Sequence, residues 1–308
     1  MNKTNAKEPH IIKVKNFSPE AKSLRSEFDR KFANPLEGSS DRFVWDYWHV
    51  PGQYSLCRTP ADHYFPEKAF ESFQNGLLKF GREVLGCCDI TPPWLSYYVD
   101  GCSQEMHADV PHGPWAFVFS LTPWKNRKFS GGETFIFKPQ TLNYWSSFSS
   151  YNGVEQKDLV TLIEPEFNQL LVFDPRLPHG VKEVKGTKDP REARLVIHGW
   201  FKDPEPYVEG GHAQESVIEA LNQFLTDEFE TLLEDHGDCH GTLSLRLSVS
   251  PSGQVTEVKV LTNTLLSLLA EPTKPKKLTQ ELLKSLKKLQ FEKAPRASQI
   301  TLPLLFRF

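Results

Sequence analysis

Cysteine is scarce in this sequence, and what there is forms no obvious pairs. The five residues Cys57, Cys87, Cys88, Cys102 and Cys239 are an odd set without metal-ligand spacing. That excludes a disulfide framework and a zinc ribbon, and points to free thiols in a reducing cytoplasm. The adjacent Cys87-Cys88 reads as two buried thiols at a helix end rather than a redox couple. No apolar run approaches the length of a membrane span, so no spanning helix is expected. The start, Met1-Asn2-Lys3-Thr4-Asn5-Ala6-Lys7-Glu8, lacks the apolar stretch of a signal peptide. A net charge of only −3 predicts no general affinity for nucleic acid. What is present, 39% hydrophobic and 12% aromatic residues over 308 positions, fits a globular protein of one large domain or two.

Helical and extended patterns alternate along the first third. Ile11 to Phe17 reads as a strand, and Ser18-Pro19-Glu20 opens a helix running to about Phe32. Arg42 to Trp48 is aromatic on both faces, which predicts a mostly buried strand. Phe70, Phe73, Leu77, Leu78 and Phe80 recur at helical spacing between Pro66 and Leu85. From Trp94 onward, short apolar strands alternate with Gly, Pro and Asn turns: Phe117–Leu121, Thr134–Phe137, Leu159–Ile163, Leu170–Phe173, Val181–Val184 and Arg194–Phe201. This rhythm predicts an all-β sandwich or barrel. Pro139 to Lys157 interrupts it with Tyr144, Trp145, Phe148 and Tyr151, and reads equally as a lid or as a loop folded on its own aromatics.

Chemistry concentrates in Met106-His107-Ala108-Asp109 and in a second histidine within Leu177-Pro178-His179-Gly180. Two imidazoles and a carboxylate on adjacent strands cover one face of an octahedral metal and leave the other open, which suits Fe(II) and oxygen chemistry better than zinc. His107 and Asp109 lie two apart, so on an extended segment they point the same way. The bland alternative is two solvated loop residues. His112 is a rival ligand, although a local histidine does not easily complete a facial set from the same tight turn.

Taken in order with the flanking strand Trp94–Gly101, the Gly131-Gly132-Glu133 turn and the strand opening at Arg194, these motifs resemble the Fe(II)/2-oxoglutarate dioxygenases, in the prolyl-4-hydroxylase-like branch. The likeness covers about a third of the chain, from Trp94 to Phe201. It implies a mainly β fold with flanking helices, built on a double-stranded β-helix (jelly roll). His107, Asp109 and His179 would be the iron ligands, and Arg194 would pair with the distal carboxylate of 2-oxoglutarate. Tyr98 and His198 join Arg194 as expected co-substrate contacts. Ascorbate is a further candidate cofactor. The implied reaction takes 2-oxoglutarate and O2 and hydroxylates an unactivated C–H bond of a prolyl residue, amino acid, peptide or protein, releasing succinate and CO2. The gap between His179 and Arg194 is longer than in compact prolyl hydroxylases, which makes Arg191 a rival anchor. A different class stays open: a non-catalytic metal-binding barrel whose C-terminal module mediates protein interaction.

The implied organisation is residues 1–93 as support, 94–205 as the oxygenase core, 206–240 as a helical linker and 241–308 as a small basic domain. Tyr207 to Gly211 forms a Pro/Gly-rich exit after every candidate site residue, so a chain ending near Gly210 is expected to fold and keep its site. Gln214 to about Glu234 reads as an amphipathic helix, and Asp235 to His240 as a linker despite its metal-friendly side chains. The last segment, a hairpin at Pro251-Ser252-Gly253, a helix over Leu278–Leu289 and a strand over Ile300–Phe308, is an α+β ββαβ pattern. It resembles, on pattern alone, the C-terminal domain of TonB-type proteins. Gly241–Phe308 carries 11 Lys/Arg against 4 Asp/Glu, leaving 25 against 35 in the rest. That asymmetry fits either docking to a protein partner or a solvated helix face.

Overall fold

The run Gln169-Leu170-Leu171-Val172-Phe173 is buried at every position. Its apolar part, Leu170–Phe173, needs cover on both faces, and on one of them Leu171 and Phe173 pack with Ile136, Ile163 and Leu177. The computed structural model describes residues 9–33, 45–139, 156–229, 232, 236–267, 271 and 273–306. The chain divides into two compact units, residues 1–77 with 90–202, and residues 78–89 with 203–308.

The first unit contains β1 (Ile11–Lys15), α1 (Ala21–Phe32), β2 (Asp46–Val50), β3 (Tyr54–Pro60) and most of α2 (Glu67–Phe80). It continues with β4 (Trp94–Tyr98), β5 (Ser103–His107), β6 (Trp115–Ser120), β7 (Thr134–Phe137), β8 (Val160–Ile163), β9 (Gln169–Phe173), β10 (His179–Val181) and β11 (Arg194–Pro204). These strands pair antiparallel in the order β1-β9-β6-β11-β4-β3-β5-β10-β7-β8, with β2 attached to β3. Side chains of β6 and β10, far apart in that order, line one cavity, so the sheet curls back on itself as a jelly roll does. Phe119 of β6 meets Phe73 of α2 at 4.7 Å and Phe17 at 6.0 Å, the helical backing of the outer face. Helix α1 buries Ala21, Leu24 and Phe28.

Two local expectations need correction. The predicted buried strand over Arg42–Trp48 is found, within the described residues, as β2, and it is half-exposed, with Tyr47 65% accessible. The reason is position: among the described residues β2 pairs only with β3 and forms an edge. The aromatic insertion at Pro139–Lys157 lies almost wholly outside the described residues. All five cysteines are free. Cys87 is buried and Cys88 half-buried, both on the strand Cys87–Ile90 that follows the helix. No helix of the described residues is long and apolar enough to cross a membrane.

The second unit contains β12 (Tyr207–Gly210), α3 (Gln214–Phe224), β13 (Cys239–Val249), β14 (Val255–Asn263), α4 (Lys274–Leu286) and β15 (Ser298–Phe306). Its sheet runs β12-β15-β13-β14. Val217, Leu221 and Phe224 of α3 and Leu278, Leu282 and Leu286 of α4 share a core with Leu243, Leu245, Leu247, Ile300 and Leu302. The segment expected to be a linker therefore contributes an edge strand and a core helix. The helical turn Gly81–Leu85 that follows α2 is tied in as well: Ser244 Oγ donates to the Leu85 carbonyl at 2.6 Å, and Arg246 Nη2 to that of Glu83 at 2.5 Å. A chain ending near Gly210 would strip residues 78–89 of these partners, against the expectation that it folds alone. Lys276, Lys277, Lys284, Lys287 and Lys288 lie exposed along or just after α4, opposite its leucine face.

Candidate functional site

The cavity inside the curled sheet has a volume of about 820 Å³. Its walls come from alternate positions of neighbouring strands: Tyr54, Leu56 and Arg58 of β3, Trp94 and Tyr98 of β4, and Arg194, Val196, His198 and Trp200 of β11. Strand pleating alone selects this set, because residues two apart share a face.

His107 ends β5, and His179 begins β10 directly opposite it in register. The strand stops there, and Asp109 caps a short turn at φ −112° and ψ 35°, so it is not on the extended segment the spacing suggested. Its backbone N–H donates to the Pro175 carbonyl at 2.9 Å, which returns the carboxylate to the histidines. His107 Nε2 lies 3.7 Å from Asp109 Oδ1, and His179 Nε2 lies 3.3 Å from Asp109 Oδ2. The ligand atoms all fall within 4.8 Å of one another, and among the described residues this is the one such group.

Backbone carbonyls set the tautomers. His107 Nδ1 lies 2.8 Å from the Glu105 carbonyl, and His179 Nδ1 lies 2.9 Å from that of Leu177. A carbonyl only accepts, so each Nδ1 carries a proton and each Nε2 is the atom turned toward the centre, where it would ligate a metal once it had given up any proton of its own. Burial alone would raise the Asp109 carboxyl. The His179 hydrogen bond and charge, then the charges of His107 and His112, outweigh that and hold it below the usual range. It stays anionic, the form a hard divalent ion needs. Strand β10 leaves no room for a side chain after His179: a Cβ on Gly180 would meet the Phe135 ring at 2.4 Å and the Gln104 carbonyl at 2.5 Å.

Behind the triad's turn, Asp174 is buried and accepts from Arg176 Nε at 2.9 Å and from the Arg176 backbone N–H at 3.1 Å. Its own backbone carbonyl receives the Leu177 N–H at 3.2 Å. Nothing in the local sequence announces this support, because its third partner, His10, is 164 residues away.

Arg194 opens β11, directly opposite Tyr98. It is 1% exposed, its Nη2 donates to Thr134 Oγ1 at 3.2 Å, and its charged carbon lies 4.6 Å from the centre of the Tyr98 ring. Its Nε and Nη1 have no hydrogen-bond partner, and no carboxylate of the described residues pairs with it. A buried cation without a counter-ion is costly, and this one faces a cavity. An anionic ligand with a planar fork would satisfy it. Arg191, the rival, is paired with Asp189 at 2.8 Å in the turn Pro190–Glu192 and does not line the cavity. In the Gly131-Gly132-Glu133 turn, Gly131 adopts φ +76°, and a Cβ there would fall 1.8 Å from the Glu183 carbonyl. His198 Nε2 bonds Ser96 Oγ at 2.8 Å. Burial, then the charges of Arg194 and Arg58, push its pKa down to about 4, so it is neutral at pH 7. His112 lies against Trp200, tilted by 32° with ring centres 4.4 Å apart, outside the ligand group. His236, in the metal-friendly linker, instead bonds Glu281 at 2.9 Å. Thr134 and Arg58 were not anticipated; the inward alternation of β3 and β7 is the signal that could have found them.

Residues 93–202 match the family described as the 2OG-Fe(II) oxygenase superfamily. No curated protein matches the chain. Among solved structures, a Pseudomonas putida prolyl-4-hydroxylase is 16% identical, covering 63% of this chain and 92% of that one, with a TM-score of 0.42. The non-heme alpha ketoglutarate dependent epimerase SnoN from nogalamycin biosynthesis is 10% identical, covering 62% and 75%, with a TM-score of 0.41.

Proposed function

We propose, from the match of residues 93–202 to the 2OG-Fe(II) oxygenase superfamily and from the geometry of the site, that this protein is an Fe(II)- and 2-oxoglutarate-dependent dioxygenase that hydroxylates an unactivated C–H bond. Its substrate is amino-acid- or peptide-like, with a prolyl residue the leading case. One observation carries the reading: the buried, unpaired guanidinium of Arg194 shares a cavity with the His107–Asp109–His179 group. A structural metal site has no use for such a cation.

The donor set fits Fe(II): two neutral imidazoles and one carboxylate, all reaching inward, with room beside them for further ligands. When bound, the iron with 2-oxoglutarate and O2 supplies the oxidation, in which co-substrate, O2 and R–H become succinate, CO2 and R–OH. Everything else falls to the protein. Arg194 takes the distal carboxylate in a fork of charge-assisted hydrogen bonds. Thr134 and the Tyr98 ring fix the plane of that fork. His198, neutral, adds a polar contact without a further positive charge. The apolar walls, Leu56, Val118, Val181 and Val196 among them, keep bulk water from the reacting atoms. A carboxylate at Asp109 favours hydroxylation over halogenation, because a halide needs that coordination position.

The test is anaerobic titration of the apoprotein with Fe(II) and then 2-oxoglutarate, followed by a succinate-release screen over proline-containing peptides and free amino acids. A weak visible band on adding the co-substrate supports the reading. Its absence favours a metal-binding scaffold.

A further inference from the structure

Arg58 enters the same cavity from β3, on the inward face shared with Tyr54 and Leu56. Its guanidinium carbon stands 2.9 Å from the centre of a Trp48 ring and 3.9 Å from that of Trp94. Distances this short place the cation over both ring faces, since an indole met edge-on keeps a cation farther from its centre. Tyr54 extends the cage by stacking on Trp48 at 6.0 Å.

The rings stabilise the charge but accept no forked hydrogen bond. Arg58 donates to no protein group among the described residues, and its Nε is buried without a partner. Asp46, directly across the β2–β3 ladder, makes no ion pair with it. Burial depresses the Arg58 pKa from its ordinary value, a sign that the group is partly desolvated. Among the described residues the cavity lining thus holds two cations without an ion-pair partner. Arg194 is the deep one, fully buried beside Thr134; Arg58 is half-buried among tryptophans. His198 feels both charges, so neither is remote from the centre. One anionic co-substrate end satisfies one of them.

We propose that Arg58, caged by Trp48 and Trp94, binds a carboxylate of the molecule that is oxidised. This rests on reading the cavity as a 2-oxoglutarate-dependent oxygenase site. A guanidinium fork matches a planar carboxylate in geometry. A phosphate, carrying about −1.5 to −2 charges at neutral pH, would leave negative charge unbalanced against one arginine. The indoles beside the fork fit the apolar part of an amino acid or short peptide. Arg194 therefore selects the co-substrate, and Arg58 the substrate.

The experiment uses the full chain with Fe(II) and 2-oxoglutarate, held without oxygen, and calorimetric titration of three probes. They are an N-acetyl-amino acid, its amide, and a peptide blocked at both ends with one internal Asp, compared with the same peptide carrying Asn; the residue beside the carboxylate is varied, starting with proline. At least one acid or Asp peptide should bind tenfold or more tighter than its neutral counterpart. The acid arm reports a main-chain carboxylate and the Asp arm a side-chain one. Arg58→Gln should erase that preference, and Arg58→Lys, which keeps the charge but loses the fork, should restore it in part. Thermal melts of both variants establish that they are folded. If every acid binds no better than its amide, or the preference survives in both variants, the assignment is overturned. If Fe(II) and 2-oxoglutarate give no visible band, the oxygenase reading fails instead, and the same titrations without metal still decide whether Arg58 selects a carboxylate.

Discussion

His10 Nδ1 lies 3.2 Å from Oδ2 of Asp174, so the residue just before β1 grips the turn that leads to His179. The tie is doubled by the Asp174 backbone N–H donating to the His10 carbonyl at 3.0 Å. From Asp174 the connection continues through Leu177, whose carbonyl fixes the His179 tautomer. The metal-site turn is thus braced by the far end of the chain.

That brace predicts a pH dependence. Burial alone would raise the Asp174 carboxyl, but hydrogen bonds and charge from Arg176 and His10 outweigh it and bring its pKa down to about 2, from an ordinary 3.8. A depressed acid stabilises the fold fully above its ordinary value, and that stabilisation is lost as pH falls from about 3.8 through about 2. The shift corresponds to roughly 2 kcal/mol at pH 7. Asp174→Asn should therefore lose about that much stability at pH 7 in urea unfolding. Its gap to the natural protein should close as the measurement moves toward pH 2. A gap that stays constant with pH would assign the effect to packing.

His179→Ala should abolish Fe(II)-dependent succinate production while the protein stays folded. Two remaining ligands hold a labile divalent ion poorly. The strand β10 keeps its pairing with β5 and β7, which does not depend on the imidazole. Thermal melts alongside turnover check this, and normal turnover in the folded variant would remove His179 from the ligand set.

Arg194→Ala should raise the apparent 2-oxoglutarate constant a hundredfold or more, as expected for losing a buried bidentate partner worth roughly 3–5 kcal/mol. Arg191→Ala should change it less than threefold, because that guanidinium is already paired with Asp189 at the surface. The reverse ranking in a co-substrate titration would transfer the role to Arg191.

Ending the chain at Gly210 should yield aggregated or strongly destabilised protein. The cut removes Ser244 and Arg246, the donors to the carbonyls of Leu85 and Glu83, while Leu85 is fully buried in the whole chain. Each exposed core side chain of this size costs about 1.5–3 kcal/mol. Size-exclusion chromatography of the truncated chain checks it; a monodisperse, cooperatively melting product would show that residues 78–89 find other cover.

The sequence by itself determined the local elements and the chemical inventory. Period-two patterns placed several strands to within a residue, as at Thr134–Phe137 and Leu170–Phe173, because pleating acts between near neighbours. The two histidines, Asp109 and Arg194 were legible as types at spacings. Three things were decided only by tertiary structure. Whether Asp46–Val50 is covered depends on its place at a sheet edge, which the residues of that strand do not encode. Residues 78–89 belong to the second unit because their partners come from a strand some 160 residues later. The cations at Arg58 and Arg194 acquire meaning only from what surrounds them. An arginine read in sequence is a solvated charge; one with unpaired N–H groups on a cavity wall is a candidate ligand site, because the field of a desolvated charge is set by its neighbours in space.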